Sequence, residues 1–192
     1  MSINIPNILT CGRIALIPVF IGVFYLPETW VSMEQQNVLA TVFFCAAAIT
    51  DWLDGYLARV LKQTSAFGAF LDPVADKLMV TTSLVMLVQL DRLDMIVAVI
   101  IIGREITISA LREWMAREGQ SSSVAVAYIG KLKTTVQMVA IPMLLFNAPL
   151  LGVDMTILGT ILIYIAAALT LWSMGFYLHH AFAGLTKNTD SS

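Results

Sequence analysis

The fold is decided by residues 37–57, which read NVLATVFFCAAAITDWLDGYL. A helix of about 20 apolar residues crosses the hydrocarbon core of a bilayer, and this stretch is long enough to do so. Near its end, however, stand two carboxylates, Asp51 and Asp54. Ionisable groups inside an apolar span are costly and by default mark a functional site. The stretch therefore predicts a transmembrane helix that contributes to a polar site.

Five further apolar stretches of similar length occupy most of the chain. Including the first, the predicted spans are residues 8–26, 37–57, 72–90, 93–114, 134–151 and 155–182. Only 12% of the 192 residues are charged and 58% are hydrophobic, whereas a soluble domain carries about 25% charged residues. We therefore predict an all-α, polytopic integral membrane protein, with six transmembrane helices in one bundle and residues 1–192 as a single transmembrane domain. A net charge of −2 argues against nucleic acid as a partner.

Basic residues predict the orientation, because Lys and Arg near span ends favour the cytoplasmic side. The ends of the second and fourth spans and the segments after them carry most of them: Arg59, Lys62, Arg112, Arg117, Lys131 and Lys133. The segments after the first, third and fifth spans carry only Arg92. We expect a multi-pass protein with both termini in the cytoplasm.

Two pairs of aspartates face each other across the second and third spans. Asp51 and Asp54 end one span at i, i+3, and Asp72 and Asp76 open the next at i, i+4, so each pair shares a helix face. Asp51 lies 14 residues from position 37 and Asp76 lies 14 from position 90, which is about 20 Å of helix in each case. The four carboxylates are expected in one layer just inside the cytoplasmic face.

Four neighbouring acids repel one another, and divalent cations resolve that conflict. Oxygen ligands favour Mg²⁺ or Mn²⁺, and two carboxylate pairs suit two ions about 4 Å apart. The competing interpretation is that the acids only cap helices at the water boundary. Asp72 directly before Pro73 has the pattern of an N-cap followed by proline at the first helical position.

Eight residues at fixed spacing connect Asp51 to Asp76 in the pattern D-x2-D-G-x2-A-R-x8-G-x3-D-x3-D. Small residues in it let a ligand approach the backbone, and an arginine can grip a phosphate in bidentate fashion. This string resembles the signature of the CDP-alcohol phosphotransferase family at every fixed position. The start of the chain, Asn7-x2-Thr10-x2-Arg13, also resembles the first helix of that family, over a shorter motif.

The resemblance implies a role for each matching residue. Asp51, Asp54 and Asp72 hold two metal ions, and Asp76 completes the metal site and acts as the base on the acceptor hydroxyl. The residues that surround CDP-diacylglycerol are Asn7, Thr10, Arg13, Gly55, Ala58, Arg59 and Gly68. The resemblance also implies membrane lipid as surroundings, a homodimer, and a bacterial inner membrane with the active site facing the cytoplasm.

Basic residues in the second half of the chain predict an acceptor pocket. Arg104 lies 12 residues after Arg92, about 18 Å along the fourth helix, and so approaches the depth of the aspartates. With it we group three further cations as candidate ligands of a phosphate on the acceptor: Arg112, Lys131 and Lys133. Glu105, beside Arg104, is a candidate ion-pair partner for a neighbouring helix. The competing interpretation is that these cations only follow the positive-inside rule.

The basic pocket and the stretch Gly103-Arg104-Glu105 resemble family members that act on glycerol 3-phosphate. This resemblance implies transfer of the phosphatidyl group of CDP-diacylglycerol to the sn-1 hydroxyl of glycerol 3-phosphate, with release of CMP. The same chemistry with inositol phosphate, serine or phosphatidylglycerol is the alternative. A cation transport protein is the remote alternative, because the outer halves of the second, third and fifth spans are apolar.

Overall fold

The computed structural model describes the backbone of residues 5–60, 66–117 and 124–189. Within these ranges it contains six α-helices and one short β-hairpin. The helices are α1 (Ile5–Val23), α2 (Met33–Val60), α3 (Ala66–Gln89), α4 (Met95–Arg117), α5 (Val124–Phe146) and α6 (Met155–Thr189). Strands β1 (Pro149–Leu150) and β2 (Val153–Asp154) pair antiparallel between α5 and α6. The prediction of an all-α protein is confirmed.

At one end of the bundle, the N-termini of α2, α4 and α6 are capped by side chains close to them in the chain. At the start of α2, Ser32 and Gln35 form a reciprocal capping box, with N···O distances of 3.0 and 3.3 Å. Asp94 accepts a hydrogen bond from the backbone N–H of Ile96 at 2.7 Å. Asp154 accepts from the N–H groups of Thr156 and Ile157. These caps satisfy backbone donors that an α-helix leaves without intrahelical partners.

The same end of the bundle is tied together by Arg92, in the turn between α3 and α4. Its guanidinium donates to the carbonyl oxygen of Leu145 at 2.9 Å and to Oδ1 of Asn37 at 2.8 Å. It therefore links the last turn of α5 to the start of α2. Burial lowers the pKa of Arg92 below its usual value. Asp91, at φ 55°, completes the turn in the left-handed region.

The third helix begins earlier than the sequence pattern predicts. We expected it to open at Asp72, with Pro73 in the first turn, but α3 begins at Ala66 and Pro73 lies inside it. An internal proline removes one backbone hydrogen bond. The preceding residues 66–71, AFGAFL, are nevertheless apolar and include good helix formers, so the helix extends through them. Asp72 is therefore not a helix cap, and α2 likewise continues past Asp54 to Val60.

Two of the predicted spans extend beyond the C-terminal ends of the observed helices. The first was expected to reach residue 26, but α1 ends at Val23 and turns follow. The fifth was expected to reach residue 151, but α5 ends at Phe146. Asn147 follows at φ 49°, a conformation that ends a helix, and Pro149 cannot continue it.

Two described helices are long and apolar enough to cross a membrane, with candidate spans Met33–Tyr56 and Met155–Gly175. Two shorter apolar helices are Asn7–Val23 and Leu132–Phe146. The core is apolar and draws on α1 to α6. Its largest fully buried apolar side chains are Phe20, Phe44, Leu84, Leu87, Ile101, Ile141, Leu144, Leu145 and Ile163.

The tight packing of α5 against α6 at Gly159 gives a first prediction. A Cβ atom at this position would lie 3.0 Å from Cγ of Leu144 and 3.1 Å from Cβ of Met143. We expect Gly159→Ala to destabilise the bundle by about 1–3 kcal/mol, the usual cost of overpacking. The measurement is the thermal unfolding midpoint of the purified protein in detergent.

Gly175→Ala on the same helix is the matched control, because a Cβ there meets nothing within 4 Å. Alanine is the better helix former, so this variant should unfold at the native temperature or slightly above it. Equal midpoints for the two variants would contradict the packing of α5 on α6.

Candidate active site

Helix α1 lies against both α2 and α3 and brings two polar side chains to the predicted aspartate layer. Thr10 and Arg13 are three residues apart and therefore share a helix face. Both are fully buried or nearly so. Most buried polar groups are hydrogen-bonded, and the Thr10 hydroxyl and the two terminal nitrogens of Arg13 find partners among the aspartates of the neighbouring helices.

Arg13 binds two carboxylates at once. Its Nη1 donates to Oδ1 of Asp51, and its Nη2 donates to Oδ2 of Asp54. The Arg13 side chain is 1% exposed and that of Asp54 is 3% exposed, whereas Asp51 is 40% exposed. The guanidinium therefore supplies the counter-charge for both aspartates of α2, and the Asp51 carboxylate stays partly exposed.

Thr10 joins the third aspartate to this group. Its hydroxyl donates to Oδ1 of Asp72 at 2.6 Å and lies 3.4 Å from Oδ2 of Asp54. A hydroxyl has one proton to donate, so the shorter contact is the main hydrogen bond. Through α1, the structure brings Asp51, Asp54 and Asp72 together, although they lie on two different helices.

Asp76 lines two neighbouring clefts. The first is lined also by Arg13, Asp51 and the apolar side chains of α2 and α3. The second includes Glu105 of α4 among its lining residues. Asp76, Val80 and Met138 border both clefts. The Asp76 carboxylate therefore lies between the aspartate layer and a second polar cluster.

That second cluster joins α4, α5 and α6. Arg104 donates from Nη2 to Oγ of Ser173 at 2.9 Å, and its Nη1 lies 3.3 Å from Oε2 of Glu105. Lys133 donates from Nζ to the same oxygen of Glu105. Arg104 and Lys133, two of the four cations predicted to bind the phosphate of the acceptor, are thus brought together. The side chains of the other two, Arg112 and Lys131, lie outside the described residues.

The structure describes some of the residues that were predicted to surround CDP-diacylglycerol. Gly55 has open space where a side chain would begin, so a ligand can approach the α2 backbone there. Asn7 stands one turn before Thr10 on α1, and Gly68 is buried in α3. The side chains of Ala58 and Arg59 lie outside the described residues.

The carboxylates suit a hard divalent cation in donor type and charge, since oxygen is the ligand that Mg²⁺ and Mn²⁺ prefer. The Arg13 guanidinium already places a positive charge between Asp51 and Asp54. In the described part of the chain, no three Asp, Glu, His or Cys side chains form a group that could hold one ion. A cation bound by both aspartates would share their charge with Arg13 or replace it.

The fixed-spacing pattern did not predict several polar residues of the second cleft. Lys77, Thr134 and Gln137 line it, and none of them belongs to the fixed-spacing pattern. Gln137 carried a usable signal, because an amide inside an apolar span must find a partner. Lys77 gave no comparable signal, since a lysine beside Asp76 is equally expected at a helix surface.

Comparison with known proteins bears directly on this arrangement. The sequence model of CDP-alcohol phosphatidyltransferase matches residues 3–172. The chain belongs to that family. The match spans both α1, with Thr10 and Arg13, and the α2–α3 pair that carries the four aspartates. The assignment predicted from the eight-residue pattern is thereby confirmed.

Relatives of the CDP-alcohol phosphatidyltransferase family resemble the chain along nearly its whole length. A protein of Haemophilus influenzae named CDP-diacylglycerol–glycerol-3-phosphate 3-phosphatidyltransferase is 50% identical over 190 residues, which cover 98% of each chain. A protein of Escherichia coli K12 with the same name is 50% identical over 187 residues, covering 96% of this chain and 98% of the relative.

The double ion pair of Arg13 gives the second prediction. Arg13→Met leaves the buried carboxylate of Asp54 without its counter-charge, and breaking a buried pair in this way costs about 3–5 kcal/mol. We expect a large drop in the thermal unfolding midpoint in detergent. The measurement is made in EDTA, so that no divalent cation replaces the missing charge.

The unfolding midpoint of Arg13→Lys should fall between those of the native protein and Arg13→Met. An ammonium keeps the charge but lacks the bidentate geometry of a guanidinium. The control is Ile8→Met on the exposed face of the same helix, which should leave the midpoint unchanged. A native midpoint for Arg13→Met would show that the pair does not hold α1 in place.

Proposed function

We propose that this protein transfers the phosphatidyl group of CDP-diacylglycerol to the sn-1 hydroxyl of glycerol 3-phosphate, releasing CMP. The observation that carries the proposal is the position of Asp76 at the border of two clefts. One cleft leads to the aspartates and Arg13, and the other to the cluster of Glu105, Arg104 and Lys133. Full-length relatives at 50% identity bear the name of this activity.

The aspartate side suits the donor diphosphate. Asp51, Asp54, Asp72 and Asp76 would hold one or two Mg²⁺ or Mn²⁺ ions, which when bound neutralise the diphosphate and stabilise the charge on departing CMP. Arg13 adds a fixed positive charge at the same place. The open space beside Gly55 admits the nucleotide close to α2, with Asn7 and Thr10 on the facing helix.

Asp76 suits the role of the base. The acceptor hydroxyl gives its proton to the Asp76 carboxylate while its oxygen attacks the phosphorus bound to diacylglycerol. The bond from that phosphorus to the oxygen of CMP breaks, and CMP leaves with the electron pair. Among the described residues that line the two clefts there is no serine, cysteine or histidine, so direct displacement is favoured over a covalent enzyme intermediate.

The cationic side suits an acceptor that bears a phosphate. Arg104 and Lys133 lie together next to the second cleft, and Arg112 and Lys131 are proposed to extend the group. Charged donors bind phosphate strongly. Serine brings no phosphate and fits less well, whereas inositol phosphate would use the same cations.

Six membrane-spanning helices and a site facing the cytoplasm fit these substrates. The diacylglycerol chains remain in lipid, while the nucleotide and glycerol 3-phosphate arrive from water. The apolar parts of α1 and α5, Asn7–Val23 and Leu132–Phe146, are shorter than those of α2 and α6, and α3 and α4 carry charged side chains of the proposed site within their apolar sequence. We therefore propose that α1 and α3 to α5 cross the bilayer along with α2 and α6. The bacterial inner membrane, cytoplasmic termini and a homodimer are proposed from the basic-residue pattern and from the family.

The third prediction concerns the four acids. Asp51→Ala, Asp54→Ala and Asp72→Ala should each abolish CMP release from CDP-diacylglycerol, because each removes a ligand of the proposed metal site. Asp76→Asn should retain part of the Mg²⁺ or Mn²⁺ binding measured by calorimetry and lose turnover. Asp91→Asn, in the exposed turn before α4, is the control and should keep native activity. Near-native turnover by Asp76→Asn would exclude it as the base.

The fourth prediction concerns the acceptor. Arg104→Met or Lys133→Met should raise the KM for glycerol 3-phosphate by about one to two decades, the loss of a charged hydrogen bond. The KM for CDP-diacylglycerol should change much less. Leu132→Met, exposed on the same turn of α5, is the matched control.

A competition assay identifies the acceptor itself. Purified protein receives equal amounts of glycerol 3-phosphate, glycerol, serine and inositol phosphate with radiolabelled CDP-diacylglycerol, and the lipid products are separated. Phosphatidylglycerophosphate should dominate, and free glycerol should react poorly. Preference for serine would refute the basic pocket, and preference for inositol phosphate would retain the pocket but replace the acceptor.

A further inference from the structure

Glu105 holds an unusual position among the basic side chains. Nη1 of Arg104 lies 3.3 Å from its Oε2 atom, and Nζ of Lys133 donates to that same oxygen. Two cations from two different helices thus share one carboxylate oxygen. This is also how a pair of cations binds one oxygen of a phosphate.

Burial gives the order of these groups from the interior to the cleft. The side chains of Arg104 and Lys133 are 5% and 1% exposed, whereas that of Glu105 is 30% exposed. Glu105 lines the second cleft together with Asp76. The Glu105 carboxylate therefore lies between the two cations and the second cleft.

This order has a consequence for an anionic acceptor. A phosphate that enters the second cleft meets the Glu105 carboxylate before it meets either cation, and like charges repel. Arg104 and Lys133 become available to the phosphate only when Glu105 leaves them. Lys77 lines the same cleft and offers another cation to a displaced carboxylate.

We propose that Glu105 is an exchangeable internal anion. It pairs Arg104 and Lys133 while the acceptor site is empty, and the phosphate of the acceptor takes its place. The inference rests on the proposed function in one respect, that the acceptor bears a phosphate. It makes Glu105 a specificity-determining residue, because a neutral acceptor has no charge with which to displace it.

The test is Glu105→Gln, which keeps the size of the side chain and removes its charge. Inorganic phosphate is titrated into the full-length protein in detergent, without CDP-diacylglycerol, and binding is measured by calorimetry. Because the competing carboxylate is gone, we expect phosphate to bind about tenfold more tightly than to the native protein. The KM for glycerol 3-phosphate should fall by a similar factor, and the KM for CDP-diacylglycerol should stay unchanged.

Two further variants make the result specific. Glu34→Gln, exposed at the start of α2, is the control and should leave phosphate affinity unchanged. In the Lys133→Met background, Glu105→Gln should have a smaller effect than alone, because the two residues act on the same contact. If Glu105→Gln does not fold, Glu105→Asp provides the test, since the shorter carboxylate cannot reach both cations equally well.

Unchanged or weaker phosphate binding by the Glu105 variants would overturn the proposal and leave Glu105 as a fixed support for Lys133. Failure of the proposed function has a different signature. It would appear as absent turnover of glycerol 3-phosphate by the native protein, whereas the phosphate titration needs no turnover and reports on the exchange alone.

Discussion

The pairing of buried charge is the constraint on which this structure depends. An ionised carboxylate is costly in an apolar interior unless a counter-charge accompanies it. Asp54 is buried in α2, and its counter-charge comes from Arg13 of α1. Since Arg13 also binds Asp51 while Thr10 binds Asp72, satisfying these groups places α1 against both α2 and α3. The cleft beside Asp76 follows from that placement.

Buried charge is also paired in the second polar cluster, of Arg104, Lys133 and Glu105, with the signs reversed. In the first cluster one cation satisfies two acids, whereas in the second one acid, Glu105, satisfies two cations. Each cluster presents its partly exposed carboxylate, Asp51 or Glu105, to a cleft. Asp76 borders both clefts, so in the proposed reaction a donor diphosphate on one side and an acceptor phosphate on the other would meet at its carboxylate.

The two ends of the bundle serve different purposes. At one end, helix caps and Arg92 tie the turns to α2 and α5 through backbone carbonyls and Asn37, and the adjacent core is apolar. Toward the other end, small and charged residues leave open space beside Gly55 and around Asp76. A firmly packed end thus holds the helices whose opposite ends carry the aspartates and the two clefts.

The sequence by itself determined the helical class and the family, because apolar length and fixed spacing are local properties. It also indicated which aspartates share a helix face. Only the tertiary structure decided that Arg13 pairs with Asp51, 38 positions away, and that Arg104 and Lys133 meet on one oxygen of Glu105. Local signals misplaced the start of α3, since the Asp72-Pro73 cap pattern was outweighed by the apolar residues before it. Contacts between distant residues depend on how helices rotate and pack, and spacing along the chain does not contain that information.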